Sequence, residues 1–518
     1  APAGTRLRVE IETERGDRLE KLLEARAPRG EVVSEELSME ALSGQRARLR
    51  FQAEGSDLFV SPRLVALKPI AARASRGEEA ADLSFLLIVL DGAHAGRMSA
   101  YGYSRPTTPN IDVLAERSVV FERAMSQAVY TIASIGSLLT GQYPEQHQSV
   151  SFADRLPSSA VTFPGLLTLG GLRTVGFSGN AVVSSAFGLD SGYETFHAAW
   201  KVEDYSGHGD SVLRLFEDWL EGHSWDRFFA YVHFREPHFP YNPPPPFDRR
   251  FGPGAPFPHG LVSWQEVEAF NRAAFDGETV PNAVIERIRG LYDGNMAYVD
   301  SLVGRILERL EAKGVREHTA VILTADHGEA LFEHQFIGHN TQLYDESIWV
   351  PLMVSLPGLE PRRVREVVEL IDLAPTVLEL AGLGDDPALR RMQGRSLLPV
   401  LRRGESLPGR MAFSRTVWDK ARYSVRDDRF KLIWDSRTGA TELYELTSDP
   451  GERVNLVGEW ALPEGFYRQQ LFGWLRAQEH LRGSTPTPDK VLVPADLRRY
   501  LGTLGYAGYL DKREEKKE

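Results

Sequence analysis

The segment Leu323-Thr-Ala-Asp-His-Gly-Glu-Ala330 sets two metal-competent side chains next to each other. Asp326 offers a carboxylate oxygen and His327 an imidazole nitrogen, donors that first-row divalent cations accept. They follow an apolar, β-branched run, Ala320-Val-Ile-Leu-Thr324, which predicts a buried strand ending on Asp326-His327. In open α/β sheets, ligands and metals bind at the carboxyl ends of strands. A second apolar run, Ser84-Phe-Leu-Leu-Ile-Val-Leu90, delivers Asp91 in the same way, 235 residues earlier.

The elements that must position these groups follow from hydrophobic patterning. From Ser84 onward, short apolar runs alternate with helical patterns. Candidate strands are 84–90, 174–177, 228–233, 319–325 and 352–355. Met296, Val299, Val303, Ile306 and Leu310 recur at helical spacing, with Gly314 as the stop. Strand–helix alternation with fully apolar strands predicts an α/β fold whose mostly parallel sheet is flanked by helices. Residues 236–262 carry seven prolines between Pro237 and Pro253, a loop expected to frame a cleft.

Residues 1–70 instead alternate with period two, as in Leu7-Arg-Val-Glu-Ile11 and Ala47-Arg-Leu-Arg-Phe51, with further short runs at 58–60 and 64–67. They predict a small β-sandwich-like domain, followed by a linker over 71–83. The catalytic domain is placed at 84–400. Residues 401–518 are expected to form an α+β subdomain with an antiparallel sheet, a hairpin loop at 435–439, a helix near 464–480 and a charged tail at 512–518.

A net charge of −12 argues against nucleic acid as the main partner. No apolar stretch approaches the roughly 18 residues that span a bilayer, so a soluble protein is expected. The chain has no cysteine, which removes disulfides, thiolate nucleophiles and thiolate metal sites. The opening Ala1-Pro-Ala-Gly has neither an initiating Met nor a signal peptide and reads as a processed or trimmed end. With the lack of cysteine, it fits a bacterial protein of the periplasm or the exterior.

The stretch Leu90–Pro144, together with Val232-His-Phe-Arg-Glu-Pro-His-Phe-Pro-Tyr241, Thr324-Ala-Asp-His-Gly-Glu329, Gly338-His-Asn340 and Val350-Pro-Leu352, resembles the sulfatase and phosphotransferase branches of the alkaline phosphatase superfamily. Asp372-Leu-Ala-Pro-Thr-Val-Leu378 and Asp449-Pro-Gly-Glu-Arg453 extend the likeness over about 84–460. The resemblance implies an alkaline-phosphatase/sulfatase-like fold and a hydroxyl nucleophile at Thr131, at the start of a helix. It also implies a metal held by Asp91, Thr131, Asp326 and His327. His238 and His339 then contact the substrate oxyanion or hold a second metal. His339 follows Asp326 by 13 residues, similar to threonine-nucleophile phosphotransferases. The oxygen and nitrogen donors favour zinc or manganese over calcium or magnesium.

Departures from the family pattern select among its branches. Sulfatases carry Cys or Ser, convertible to formylglycine, where this chain has Thr131, and Pro-Ser-Arg where it has Ala133, Ser134 and Ile135. Threonine cannot yield that aldehyde, because its β-carbon already bears a methyl group. Gly92 replaces the second Asp of the usual pair, and the sulfate-clamping lysines have no counterpart. The remaining set is similar to phosphoethanolamine and glycerophosphate transferases, whose usual first ligand is Glu and which usually carry membrane helices.

The leading expectation is therefore a metal-dependent phosphodiesterase, phosphomonoesterase or phospho-group transferase. Behind it stand an atypical sulfuric ester hydrolase and a non-catalytic, glycan- or protein-binding relative. The expected substrate is a phosphate or sulfate ester, on a glycan or a lipid. Structural alternatives are a helix N-cap for Thr131, a strand-end cap for Asp91, a structural pair for Asp326-His327 and loop shaping for His238 and His339. His94, His147 and His233 are read as packing residues.

Overall fold

Three strands, Ser84–Leu90, Phe228–Phe234 and Thr319–Ala325, are buried at every position. The first lies between the other two and runs parallel to both. Side chains on both faces of such strands must be covered, which is why these runs are continuously apolar rather than alternating. The computed structural model describes residues 5–13, 18–25, 47–54, 83–201, 209–224, 226–252, 264–416 and 421–482, with a few more between 489 and 501.

The three strands form the centre of an eight-stranded sheet. Its order is Arg362–Glu369, Val119–Met125, Trp349–Ser355, Thr319–Ala325, Ser84–Leu90, Phe228–Phe234, Arg173–Ser178 and Thr195–Ala198. All pairings are parallel except those of Trp349–Ser355, which runs against both neighbours. The five runs expected as strands all lie in this sheet. Three others were not anticipated: Val119–Met125, Thr195–Ala198 and the edge strand Arg362–Glu369, whose charged residues break its apolar run.

The helices Pro109–Ala115, Asp210–His223 and Asn282–Ala312 pack together, as do Thr131–Thr140, Phe163–Leu169 and Leu373–Leu380. Met296, Val299, Val303, Ile306 and Leu310 all fall on the buried stripe of Asn282–Ala312. Gly314 follows with φ +69, the left-handed turn that glycine adopts without strain.

The backbone divides into two compact units, 1–66 and 67–518. In the first, Thr5–Thr13 pairs antiparallel with both Arg18–Ala25 and Ala47–Glu54. The runs at 58–60 and 64–67, most of the 71–83 linker and the 512–518 tail lie outside the described residues. Within the second unit, Ala412–Arg415, Arg422–Arg426, Phe430–Asp435 and Thr441–Glu445 form an antiparallel sheet in sequence order. The helix Ala461–Arg482 covers it, with Tyr467 and Leu471 against Val425, Leu432 and Leu443. Among the described residues, no helix is long and apolar enough to cross a membrane.

Ile88 sits fully buried in the middle of the central strand. Ile88→Ala is expected to cost about 2–5 kcal/mol, read as a lower urea midpoint with an unchanged slope. A loss below about 1 kcal/mol would show that the site-bearing strands are not the structural centre.

Candidate active site

The parallel register pairs Leu90 with Ala325, so the next residues, Asp91 and Asp326, leave the sheet side by side at its carboxyl end. Both are fully buried. Each has one oxygen engaged. Asp326 Oδ1 accepts the Gly92 amide at 3.2 Å and the His327 amide at 3.0 Å. Asp91 Oδ2 accepts from Asn180 Nδ2 and lies 3.4 Å from His233 Nε2.

The other oxygens, Asp91 Oδ1 and Asp326 Oδ2, are buried with no hydrogen-bond partner. His327 Nε2 stands 3.5 Å from each. Its Nδ1 donates to the Gly328 carbonyl at 2.9 Å, which leaves Nε2 as the lone-pair nitrogen. Carboxylate oxygens stripped of both water and donors are costly. Ligand atoms of Asp91, Asp326 and His327 lie within 4.8 Å of one another, a set that fits a divalent cation.

Thr131 is brought to this cluster. It is the first residue of the helix Thr131–Thr140, whose N-cap is Tyr130, with no side-chain cap bond. The Thr131 hydroxyl therefore does not cap the helix; it faces His327 Nε2 at 3.4 Å. Ser134 and Ser126 each donate to the Asp326 carbonyl at 2.5 Å, tying the helix start to the strand end.

His238 arrives from the proline-rich segment, held by its amide on the Asp91 and Arg235 carbonyls at 3.0 Å. His339 follows the two-residue strand Ile337–Gly338. Donor nitrogens of His238, His327 and His339 also lie within 4.8 Å of one another, so His327 belongs to both groups. All six residues singled out in the sequence thus meet in one place.

Three further residues build the site and were not expected there, His233 being read as a packing residue. Asn180 and His233 orient Asp91, and His233 is itself fixed by the Tyr231 hydroxyl at 2.6 Å. Glu329 is fully buried and accepts His339 Nδ1–H at 3.0 Å. Its other oxygen lies 3.2 Å from where a Cβ on Gly92 would stand, and Gly92 has φ +67. A side chain at position 92 is therefore disfavoured both by backbone and by space. Glu329 was visible as an acid inside a buried stretch; Asn180 and His233 carried no local signal.

Charge is unevenly held. Burial works to raise the Asp91 carboxyl, but His238, His233 and His327 outweigh it and hold Asp91 well below the usual range. Burial and then Asp91 raise Asp326. Burial pushes Glu329 up to about 7, against the pull of His238 and His327. His327 is raised, because Asp326 and Asp91 overcome its desolvation. Burial lowers His238 to about 4 and, with His327, puts His339 well below its usual value. His147 fits its packing role, bonded to Ser137 Oγ at 3.0 Å. His233 departs from it by backing Asp91. His94 packs edge-on against Trp349, and neither ring nitrogen has a hydrogen-bond partner.

A family model described as Sulfatase matches residues 84–383, and one described as N-sulphoglucosamine sulphohydrolase, C-terminal, matches 332–464. Arylsulfatase K of Gallus gallus is 32% identical over 188 residues, 33% of this chain and 34% of that protein. The match thus spans about a third of that relative's length. A multifunctional alkaline phosphatase superfamily protein of Trinickia caryophylli is 24% identical over 466 residues, covering 71% of this chain and 89% of its own. Among solved structures, the phosphonate monoester hydrolase of Agrobacterium radiobacter has a TM-score of 0.62 at 22% identity, over 77% of this chain and 95% of that one. These structural likenesses are of fold.

Asp326 and His327 hold protons more tightly than in water, and those protons must leave before either can ligate. Zinc or manganese binding is expected to weaken steadily as pH falls, and to release more protons per ion the lower the pH. Titration calorimetry in two buffers of different ionisation enthalpy reads the release. Asp326→Asn should lower affinity by more than about 100-fold. Affinity flat with pH and indifferent to that change would remove the metal assignment.

Proposed function

Since this chain belongs to the sulfatase family, we propose that it is a divalent-metal-dependent hydrolase or transferase of phosphate esters, with Thr131 as nucleophile. The observation that carries this reading is the Thr131 hydroxyl, free of capping duty and 3.4 Å from His327 Nε2, beside two partnerless carboxylate oxygens. A cation held by Asp91, Asp326 and His327 supplies Lewis acidity that lowers the pKa of a neighbouring hydroxyl. Zinc or manganese suits this small oxygen and nitrogen set better than calcium, which takes six to eight oxygens.

The chain's own groups do the rest. The amide end of the helix Thr131–Thr140 favours negative charge developing on Oγ1. In the first half-reaction the Oγ1–phosphorus bond forms and the bond from phosphorus to the leaving oxygen breaks. In the second, water or another acceptor takes the phosphoryl group from Oγ1. His238 and His339 face the transferring oxygens. His339 is neutral, with Nδ1–H on Glu329, so its other nitrogen is the one turned to accept or return a proton.

The arylsulfatase K relative favours a second reading, hydrolysis of sulfate esters at the same site. An aryl phosphodiester and an aryl sulfate assayed side by side separate the two. Under the leading reading, the phosphodiester is turned over faster and a slow substrate leaves a phospho-adduct on Thr131 in intact-mass spectra. Thr131→Ala should lose on the order of a thousandfold or more in kcat. Unchanged turnover in that variant would sink the nucleophile assignment.

A further inference from the structure

The motif Asp449-Pro-Gly-Glu-Arg453 takes no part in the chemistry above, yet its Glu452 is only 2% exposed and has φ +52. Non-glycine residues rarely hold the left-handed conformation, and surrounding contacts must keep them there. Those contacts are ionic and buried. Glu452 Oε1 lies 2.7 Å from Lys431 Nζ, and Lys431 has no exposed surface. Glu452 Oε2 accepts the Asp345 amide at 2.7 Å. The Asp345 carboxylate in turn takes Lys431 at 2.9 Å and Arg426 Nη1 at 2.7 Å. Two cations and two carboxylates thus close one network between the carboxyl-terminal sheet and the turn at Asp345–Ile348.

The same residues grip the segment that carries His339, from both sides. On its near side, His334 donates to Glu346 at 2.6 Å and to the Glu452 carbonyl at 3.1 Å. His334 also stacks on Tyr344, ring centroids 3.6 Å apart, and the Tyr344 hydroxyl bonds Glu442 of the carboxyl-terminal sheet at 2.9 Å. On the far side, the Asp345–Ile348 turn presses on the Asp326–Glu329 backbone. Gly328 donates to the Ser347 carbonyl at 2.9 Å, and a Cβ on Gly328 would fall 2.1 Å from the Glu346 carbonyl oxygen. Only glycine fits there.

We propose that Glu452 is a positioning residue. With Lys431 and Asp345 it fixes the 331–346 segment, and through that segment it sets His339 and its partner Glu329 over the Asp91–Asp326–His327 cluster. The carboxyl-terminal sheet is thereby part of the active-site machinery, although none of its residues reaches the reacting atoms. This rests on the reading of His339 as a substrate-facing group.

A double-mutant cycle separates positioning from general support. In the full chain, Glu452→Gln is expected to lower kcat about tenfold with KM within about twofold, on whichever aryl ester the native protein turns over. In a His339→Ala background the same change should cost less than about twofold, because the group it positions is gone. An equal loss in both backgrounds, or no loss in the native background, overturns the proposal. Should Glu452→Gln fail to fold, Tyr344→Phe, which removes the hydroxyl's bonds to Glu442 and Tyr444 of the carboxyl-terminal sheet, is taken through the same cycle with a smaller loss of the same pattern expected. If the native protein turns over neither ester, the proposed function fails on its own. Hydrogen exchange then decides the positioning role: faster exchange confined to 331–346 in Glu452→Gln supports it, and unchanged exchange overturns it.

Discussion

The parallel pairing of Ser84–Leu90 with Thr319–Ala325 is the constraint on which the rest of the structure depends. Its register brings two carboxylates out of water at the same level, where they raise each other's cost of ionisation. A fold tolerates this only where the surrounding strands are firmly packed, and these strands are buried along their whole length. Each carboxylate receives donors on one oxygen alone. Asn180 and His233 turn Asp91, and two backbone amides turn Asp326, so that the remaining oxygens converge on the His327 lone pair. The orientation is set by the fold's own donors, which is the preorganisation that electrostatic catalysis requires.

The same constraint explains what could be read in the chain and what could not. Asp91, Asp326 and His327 were legible because each follows a continuous apolar run, and a strand's end is where such groups become useful. Thr131, His238 and His339 were legible only through family likeness. Thr131 begins a helix buried on every side, so periodicity marks no functional face, and a threonine there reads equally well as a cap. The surrounding shell is tertiary in origin. Asn180 meets Asp91 across 89 residues and His233 meets it across 142, distances at which local pattern carries nothing. The missed strands at 119–125 and 362–369 have charged residues at positions that sheet neighbours leave partly exposed, and that interrupts the apolar signal.

Position 92 illustrates how a departure from a family pattern acquires a physical reason. From the sequence, Gly92 is a lost carboxylate. In the fold, the backbone there is left-handed and the space a side chain would take is bounded by Glu329 and His238. Glu329 carries the third carboxyl, and it spends one oxygen on His339 rather than leaving both for a cation. A carboxyl in that place orients an imidazole, whereas an aspartate at 92 would add a hard ligand. Because Gly328 lets Glu346 approach within contact of the same backbone, the orientation of Glu329 depends in turn on the segment beyond it. The geometry of the cluster is therefore governed as much by where glycine permits close approach as by the carboxylates and imidazoles themselves.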